Sequence, residues 1–255
     1  MLGTNGGLLG VQNVPTTQAA SGLWLPNEQS VAKRAGIWPQ VQELDLDPYF
    51  ANVSLLLHMD GSNGSTTFTD SSSNTRSITA AGGAQISTAQ AKYGTGAFYA
   101  GTDTTAHLNV GSLVCNGDFT LEFYAYPLAD KGVLVEFGPD YANNFQINQN
   151  SAAETGFNAF KAYIRINGVE LFDNVAFGYA KNQWNFIQLA RSGSTVSLSN
   201  NGVLYGTRTL SGAVTFKYVG SNYINKTVNG YIDELRLTNG LVRPSEVPST
   251  PFPNA

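Results

Sequence analysis

Two Asn-Gly dipeptides, Asn167-Gly168 and Asn201-Gly202, each stand between short runs rich in apolar and β-branched residues. Both residues of such a pair tolerate positive φ, so each marks a tight hairpin whose flanking strands run antiparallel. The same pattern repeats along most of the chain, with Gly, Asn, Asp and Ser between the runs. Strands read at residues 53–59, 78–80, 97–100, 107–110, 119–126, 133–137, 144–147, 161–166, 170–173, 184–191, 195–199, 203–209, 215–219 and 230–237. About fourteen short strands with no core helix can bury a shared face only as a sandwich or a barrel.

Alternation assigns faces. In the run 119–126, Phe119, Leu121, Phe123 and Ala125 fall on one side, and Thr120, Glu122, Tyr124 and Tyr126 on the other. With Trp184, Phe186, Ile232 and Leu235, the residues Phe119, Leu121 and Phe123 are the expected core. The tail, residues 244–253, carries four prolines and reads as a capping strap, not a strand.

Residues 1–52 differ from this pattern, and the β-rich region is 53–255. Pro15, Pro26, Pro39 and Pro48 break the first segment at intervals. One helix signal lies there: Asn27 as N-cap, Glu28 in the first turn, Lys33 and Arg34 in the last, and Gly36 as the stop. A helix of about two turns does not stand alone. The segment is an extended arm whose apolar side chains Leu8, Leu9, Trp24, Ile37 and Trp38 are anchors with two readings, packing on the sandwich's own surface or docking on a partner subunit, and docking is the expectation taken forward.

Composition narrows the function. The chain has 255 residues, a net charge of −4 and only 13% charged residues, so no basic stripe exists to neutralise phosphates, and nucleic acid is not expected as a partner. The same balance argues against an anionic membrane surface, and no apolar run approaches the ~20 residues of a membrane span. The first residues lack the charged and apolar regions of a secretory signal. Cys115 is the only cysteine, so stability rests on packing, and synthesis in a reducing cytoplasm is expected.

Several motifs resemble a known family. Leu55-Leu56-Leu57-His58-Met59-Asp60-Gly61-Ser62, then Phe68-Thr69-Asp70-Ser71-Ser72, is similar to the opening of laminin-G-like domains in bacteriophage proteins. So are Lys92-Tyr93-Gly94-Thr95-Gly96-Ala97-Phe98-Tyr99 and the strand Gly117-Asp118-Phe119-Thr120-Leu121-Glu122-Phe123. The hairpin around Asn201-Gly202 and the ending Gly230-Tyr231-Ile232-Asp233-Glu234-Leu235-Arg236-Leu237 follow in the same order. The resemblance covers roughly 53–253 and implies a concanavalin A-like (laminin-G-like) antiparallel β-sandwich with an extended N-terminal arm. In the arm, Ser21-Gly22-Leu23-Trp24 and Ala35-Gly36-Ile37-Trp38-Pro39 resemble segments in structural proteins of marine and cyanobacterial tailed phages. That implies a virion component, made in the host cytoplasm, whose partners are other capsid or tail proteins.

The residues that could carry chemistry are few. A glycosidase needs two carboxylates facing each other about 5–9 Å apart, and the pattern Glu-x-Asp-x-x-Glu is absent. Glu122 has tyrosines as same-face neighbours, Glu136 stands alone, and the adjacent Asp233 and Glu234 are expected on opposite faces. His58 and His107 read as hydrogen-bonded structural histidines and Cys115 as an inert thiol. The ligands for zinc are missing. Calcium has candidate ligands in Asp60, Asp70, Asn74 and Asp233; turn-making by Asp60 and Asp70, and pairing of Asp233 with Arg236 or backbone amides, is the competing reading. Sugar binding has candidates in two loops: Tyr141, Asn143 and Asn144, and Asn222 and Tyr223.

The sequence therefore leads to a non-enzymatic virion accessory protein, a capsid decoration or tail-fibre-associated module. The alternative is a lectin-like adhesin contacting host surface glycans, and a polysaccharide hydrolase is the third. Homo-oligomers are compatible with all three.

Overall fold

The computed structural model describes residues 46–101, 103, 105–128, 144–148, 161–176, 178–220 and 229–255. Nearly all of them lie in the second of the chain's two units, Asp47–Ala255. The expected arm anchors, the helix at 27–36 and the strand at 133–137 lie outside the described residues.

Among the described residues, one 3-10 turn, Phe50–Asn52, leads into fourteen strands. They are β1 (Val53–Leu57), β2 (Thr79–Ala81), β3 (Gln85–Ser87), β4 (Ala97–Tyr99), β5 (His107–Cys115), β6 (Phe119–Pro127) and β7 (Asn144–Asn148). Then follow β8 (Lys161–Ile166), β9 (Val169–Ala176), β10 (Asn185–Ser192), β11 (Thr195–Asn200), β12 (Val203–Thr209), β13 (Val214–Gly220) and β14 (Gly230–Asn239). Every pairing is antiparallel, as the hairpin signals require. At both Asn-Gly turns the two residues take positive φ, 52° and 76° at 167–168 and 49° and 78° at 201–202. Strand β3 is an addition to the sequence reading: three residues, with glycines Gly82 and Gly83 just ahead, give too short an alternation to register.

The largest sheet runs β12-β11-β10-β6-β14-β4-β3, with β1 also on β14. β14 thus has β6 along one edge and shares the other between β4 and β1. Two three-stranded sheets, β13-β5-β2 and β7-β8-β9, complete the architecture. One apolar cluster joins all three sheets: Phe119, Leu121 and Phe123 of β6, Leu108 and Val110 of β5, Phe216 of β13, Ile164 of β8 and Phe172 of β9. Ile232 and Leu235 of β14 belong to it as expected.

Phe186 and Trp184 do not. Ile187 and Leu189 take the inward positions of β10. Phe186 instead joins Tyr124, Leu56, Val53 and Phe252 in a second, smaller cluster on the opposite face, with Trp184 half-buried beside it. The central strands are covered on both faces, so apolar content alone does not say which side is the core.

The cover is the C-terminal strap. Phe252 is buried, and its ring lies 3.9 Å from the Arg236 guanidinium. The hydroxyls of Tyr93 and Tyr124 both donate to the carbonyl of Pro248, at 2.8 and 2.7 Å. Gln188 Nε2 donates to the carbonyl of Pro244 at 2.8 Å. The Asp47 amide donates to the carbonyl of Ala255 at 2.6 Å, so the sandwich is closed where it begins.

Candidate functional site

Strand register arranges the outer face of the large sheet in cross-strand rows. Arg236, Glu122 and Gln188 form one row, and Asp233, Tyr124 and Phe186 the next. Tyr99, Tyr231 and Tyr126 form a third at one end of the sheet.

The first row is an ionic lock. Glu122 Oε2 accepts from Arg236 Nε at 2.9 Å and Nη2 at 2.8 Å, and its Oε1 accepts from Gln188 at 3.2 Å. Asp47 takes Arg236 Nη1 at 3.2 Å and both terminal nitrogens of Arg243, at 3.0 and 2.6 Å. Burial works to raise the Asp47 carboxyl. The Arg243 hydrogen bond, the Tyr49 amide and the two guanidinium charges prevail and hold it below the usual carboxylate range. Both oxygens of Glu122 are thus hydrogen-bonded within the sheet. Asp47, which the sequence reading leaves in the arm, is part of this lock.

In the second row, adjacent carboxylates share a face. A β-bulge lies between Asp233 and Arg236, with Glu234 at φ 48°. Ile232 and Leu235 both remain in the core, so Asp233 and Glu234 both turn outward, contrary to the expectation from alternation. Asp233 accepts the amides of Lys92 at 2.7 Å, Tyr93 at 3.2 Å and Glu234 at 2.8 Å. Burial, with the Glu234 charge adding to it, pushes the Asp233 carboxyl up to about 8 against the pull of those amides. Glu234 pairs with His58 Nδ1 at 2.8 Å and accepts the Phe252 amide at 2.9 Å. Both carboxylates are buried, Asp233 at 0% and Glu234 at 1% exposure.

The calcium candidates are dispersed. Asp60 accepts the amide and hydroxyl of Thr95, a partner 35 residues away, where a local turn was expected. Asp70 accepts the amides of Leu56, Ser72 and Arg76, at 3.0, 2.9 and 2.9 Å, so it does make the expected turn. Asn74 approaches it only through Ser72 Oγ, and its own amide donates to the Val53 carbonyl at 3.1 Å. Asp233 pairs with amides and not with Arg236. Among the described residues, no three His, Cys, Asp or Glu side chains gather at metal-binding spacing.

His58 and His107 are both hydrogen-bonded: His58 bridges Glu234 and Asn254, and His107 Nδ1 lies 2.8 Å from the Thr105 carbonyl. Cys115 is buried at the end of β5, and burial pushes its thiol up to about 12.

The third row is aromatic. Tyr99 and Tyr231 stack with centroids 4.8 Å apart and an interplanar angle of 20°. Tyr126 stands edge-on to Tyr231 at 6.1 Å and to Trp184 at 5.4 Å. The row crosses β4, β14 and β6 and reaches Trp184, the residue before β10. Tyr99, Tyr126 and Trp184 are half-buried and Tyr231 is 7% exposed. Burial and the neighbouring Tyr99 raise the Tyr231 hydroxyl, which Ser87 engages.

Two backbone bonds fix this end of the sheet: Leu128 N to the Asn229 carbonyl at 3.0 Å, and Asn182 N to the Pro127 carbonyl at 2.9 Å. The expected sugar-contacting residues Tyr141, Asn143, Asn222 and Tyr223 lie outside the described residues, and Asn144 opens β7. Sequence reasoning missed the row because its members lie far apart in the chain and only register brings them together. The signal available was the outward position of Tyr126.

Residues 100–248 match the family model described as the concanavalin A-like lectin/glucanases superfamily, in its laminin-G group. The chain belongs to that superfamily. As a concanavalin A-like domain, it is similar in structure to domain 4 of AbnA, an extracellular GH43 arabinanase from Geobacillus stearothermophilus solved with arabinotriose. The TM-score is 0.59 at 18% identity, over 76% of this chain and 96% of that one. It is also similar to Trypanosoma rangeli sialidase, with a TM-score of 0.51 at 12% identity, over 83% of this chain. The match spans 33% of the sialidase's length. At these identities the likeness is one of fold. No curated protein matches the sequence.

Proposed function

We propose that this concanavalin A-like domain is a non-catalytic carbohydrate-contacting module, carried on a phage particle by its N-terminal arm. The half-buried rings of Tyr99, Tyr126 and Trp184, set around the buried Tyr231, carry the first half of this reading. Aromatic rings cover the apolar faces of sugars, and hydroxyls and amides at their edge read the sugar hydroxyls. The arabinotriose bound by the arabinanase domain of the same fold supports sugar as the ligand class. Catalysis by a carboxylate pair needs groups that reach substrate and exchange protons with it. On the described outer face Glu122 and Asp47 are held by arginines, and Asp233 and Glu234 are sealed in.

The particle half rests on the resemblance of the arm and sandwich motifs to phage structural proteins. Leu8, Leu9, Trp24, Ile37 and Trp38 are its docking anchors, and the partners are capsid or tail proteins. Deletion of residues 1–46 keeps Asp47 and its arginine partners in the chain.

Two measurements test the two halves. On a glycan array, with and without calcium, the full chain binds a defined set of sugars and Tyr126→Ala loses them; an array blank for the full chain refutes the sugar reading. In purified particles, mass spectrometry finds the full chain and does not find the protein lacking residues 1–46. Normal incorporation of the truncated form refutes docking through the arm.

A further inference from the structure

We infer that the end of the C-terminal strap, residues 249–255, is a proton-operated latch: the His58 imidazolium holds it closed over the Asp233-Glu234 pair, and loss of that proton lets it lift. Three parts of the chain meet at this node. His58 follows β1, Glu234 sits at the bulge of β14, and Asn254 is next to the last residue of the strap. His58 Nδ1 lies 2.8 Å from Glu234 Oε1, and Nε2 lies 2.7 Å from Asn254 Oδ1. Both ring nitrogens thus face oxygen acceptors, and an imidazole donates from both only when it is protonated. The other oxygen of Glu234 accepts the Phe252 amide at 2.9 Å, so one carboxylate joins the histidine to the strap backbone.

Charge, more than hydrogen bonding, works the latch. The Asn254 amide can turn its nitrogen toward the ring, so a neutral His58 keeps that bond. What it does not keep is the positive charge beside Glu234. Among the described residues, His58 is the cation paired with Glu234. Asp60, from the loop after β1, adds negative charge near His58, and the chain-terminal carboxylate of Ala255 follows Asn254. Lys92, from the loop before β4, holds its ammonium over the rings of Tyr93 and Tyr124, at 5.1 and 4.9 Å. Arg236 is engaged by Glu122 and Asp47. Burial opposes protonation of His58, but Glu234, Asn254 and Asp60 prevail and raise it above 6.5, while burial pushes Asp233 up to about 8. As pH climbs through these values, the trio passes from one positive and one negative charge to two negative charges and no positive one. Two buried like charges without a counterion are strongly unfavourable, and lifting the chain end admits the water that hydrates them.

The end of the strap is built to move separately from the rest. Upstream of residue 249, the carbonyls of Pro244 and Pro248 are held by Gln188 and by the Tyr93 and Tyr124 hydroxyls, bonds that involve neither His58 nor Glu234. Ser249, Thr250 and Pro251 are exposed. Beyond them, the Phe252 ring on Arg236 and the Ala255 carbonyl on the Asp47 amide close the end together with the His58 node. Lifting this end uncovers the seat of Phe252 among Val53, Leu56, Tyr124 and Phe186.

Amide hydrogen exchange of the full chain, at about pH 6 and about pH 9 and corrected for the intrinsic pH dependence of exchange, tests the latch. Protection of residues 249–255 is expected to fall about tenfold or more between the two, while β6 and β10 keep theirs. His58→Gln, which carries no charge at either pH, should lose strap protection already at about pH 6. Glu234→Gln keeps an acceptor for the Phe252 amide but needs no counterion, so its strap should stay protected at both. Thermal melting at about pH 6 establishes that each variant is folded. Strap protection that does not change with pH overturns the latch, as does a fall shared equally by β6 and β10. So does a His58→Gln strap as well protected at about pH 6 as the unaltered one. If His58→Gln does not fold, Glu234→Gln decides: a strap that still opens at about pH 9 in that variant overturns the inference.

Discussion

Arg243 grips Asp47 with both terminal nitrogens, one on each carboxylate oxygen, across 196 residues of sequence. The pair ties the start of the sandwich to the segment that follows its last strand. Arg236 joins it to Glu122 on the central strand. A buried ion pair of this kind contributes little over an apolar replacement, but removing one partner strands the other charge.

Asp47→Ala is therefore expected to destabilise the fold by about 3–5 kcal/mol, and Arg243→Ala by a similar amount. In a urea-melt double-mutant cycle the two effects should be strongly non-additive. Additive losses would show that the pair is not coupled.

The strap adds a second, apolar contact to the same face. Phe252 is 3% exposed, and Phe252→Ala should cost about 3 kcal/mol, the low end for a buried ring, because a terminal segment can lift away. The same variant should raise amide exchange at residues 248–255 before the rest of the sandwich opens. Uniform exchange in all strands would contradict a separately opening strap.

Stability should fall as pH rises from about 4 to about 8. Burial raises the Asp233 carboxyl from an ordinary 3.8 to about 8. Its contribution is thus complete below 3.8 and lost as pH climbs through the folded value. For His58, burial opposes protonation, but the Glu234 hydrogen bond and charge prevail and raise it above an ordinary 6.5. Its contribution is complete below 6.5 and is lost on the same climb. Asp47 has the opposite sign: its depressed carboxyl stabilises above 3.8 and loses that contribution only as pH falls through the lowered value. Urea midpoints measured across this window should decrease toward alkaline pH, and Asp233→Asn should flatten most of the slope. A midpoint that rises with pH would refute the assignment.

Gly94 takes φ 63°, and a methyl group there would collide with the Asp60 carboxylate that holds Thr95. Gly94→Ala should cost about 1–3 kcal/mol. In an Asp60→Ala background the clash disappears and only the left-handed backbone strain remains, about 1–2 kcal/mol. Thermal melts of the four proteins separate the two contributions, and equal losses in both backgrounds would rule out the clash.

Much of the architecture is local and so was legible in the residues. Asn167-Gly168 and Asn201-Gly202 fix hairpins by their own φ preferences, and alternation in 119–126 placed Phe119, Leu121 and Phe123 inward. The prolines of 244–253 excluded a strand and left a strap. The laminin-G-like motifs named the family over the span where it was found. What local pattern cannot encode is which strands become neighbours and where their register slips. The bulge in β14 turned Asp233 and Glu234 to the same side. The double burial of the central strands sent Phe186 away from the core. Register across β4, β14 and β6 assembled Tyr99, Tyr231 and Tyr126 into one row, with Trp184 beside it. Each of these depends on contacts between residues tens to hundreds of positions apart, where packing and hydrogen bonding of the whole sheet, not the preference of any one residue, set the outcome.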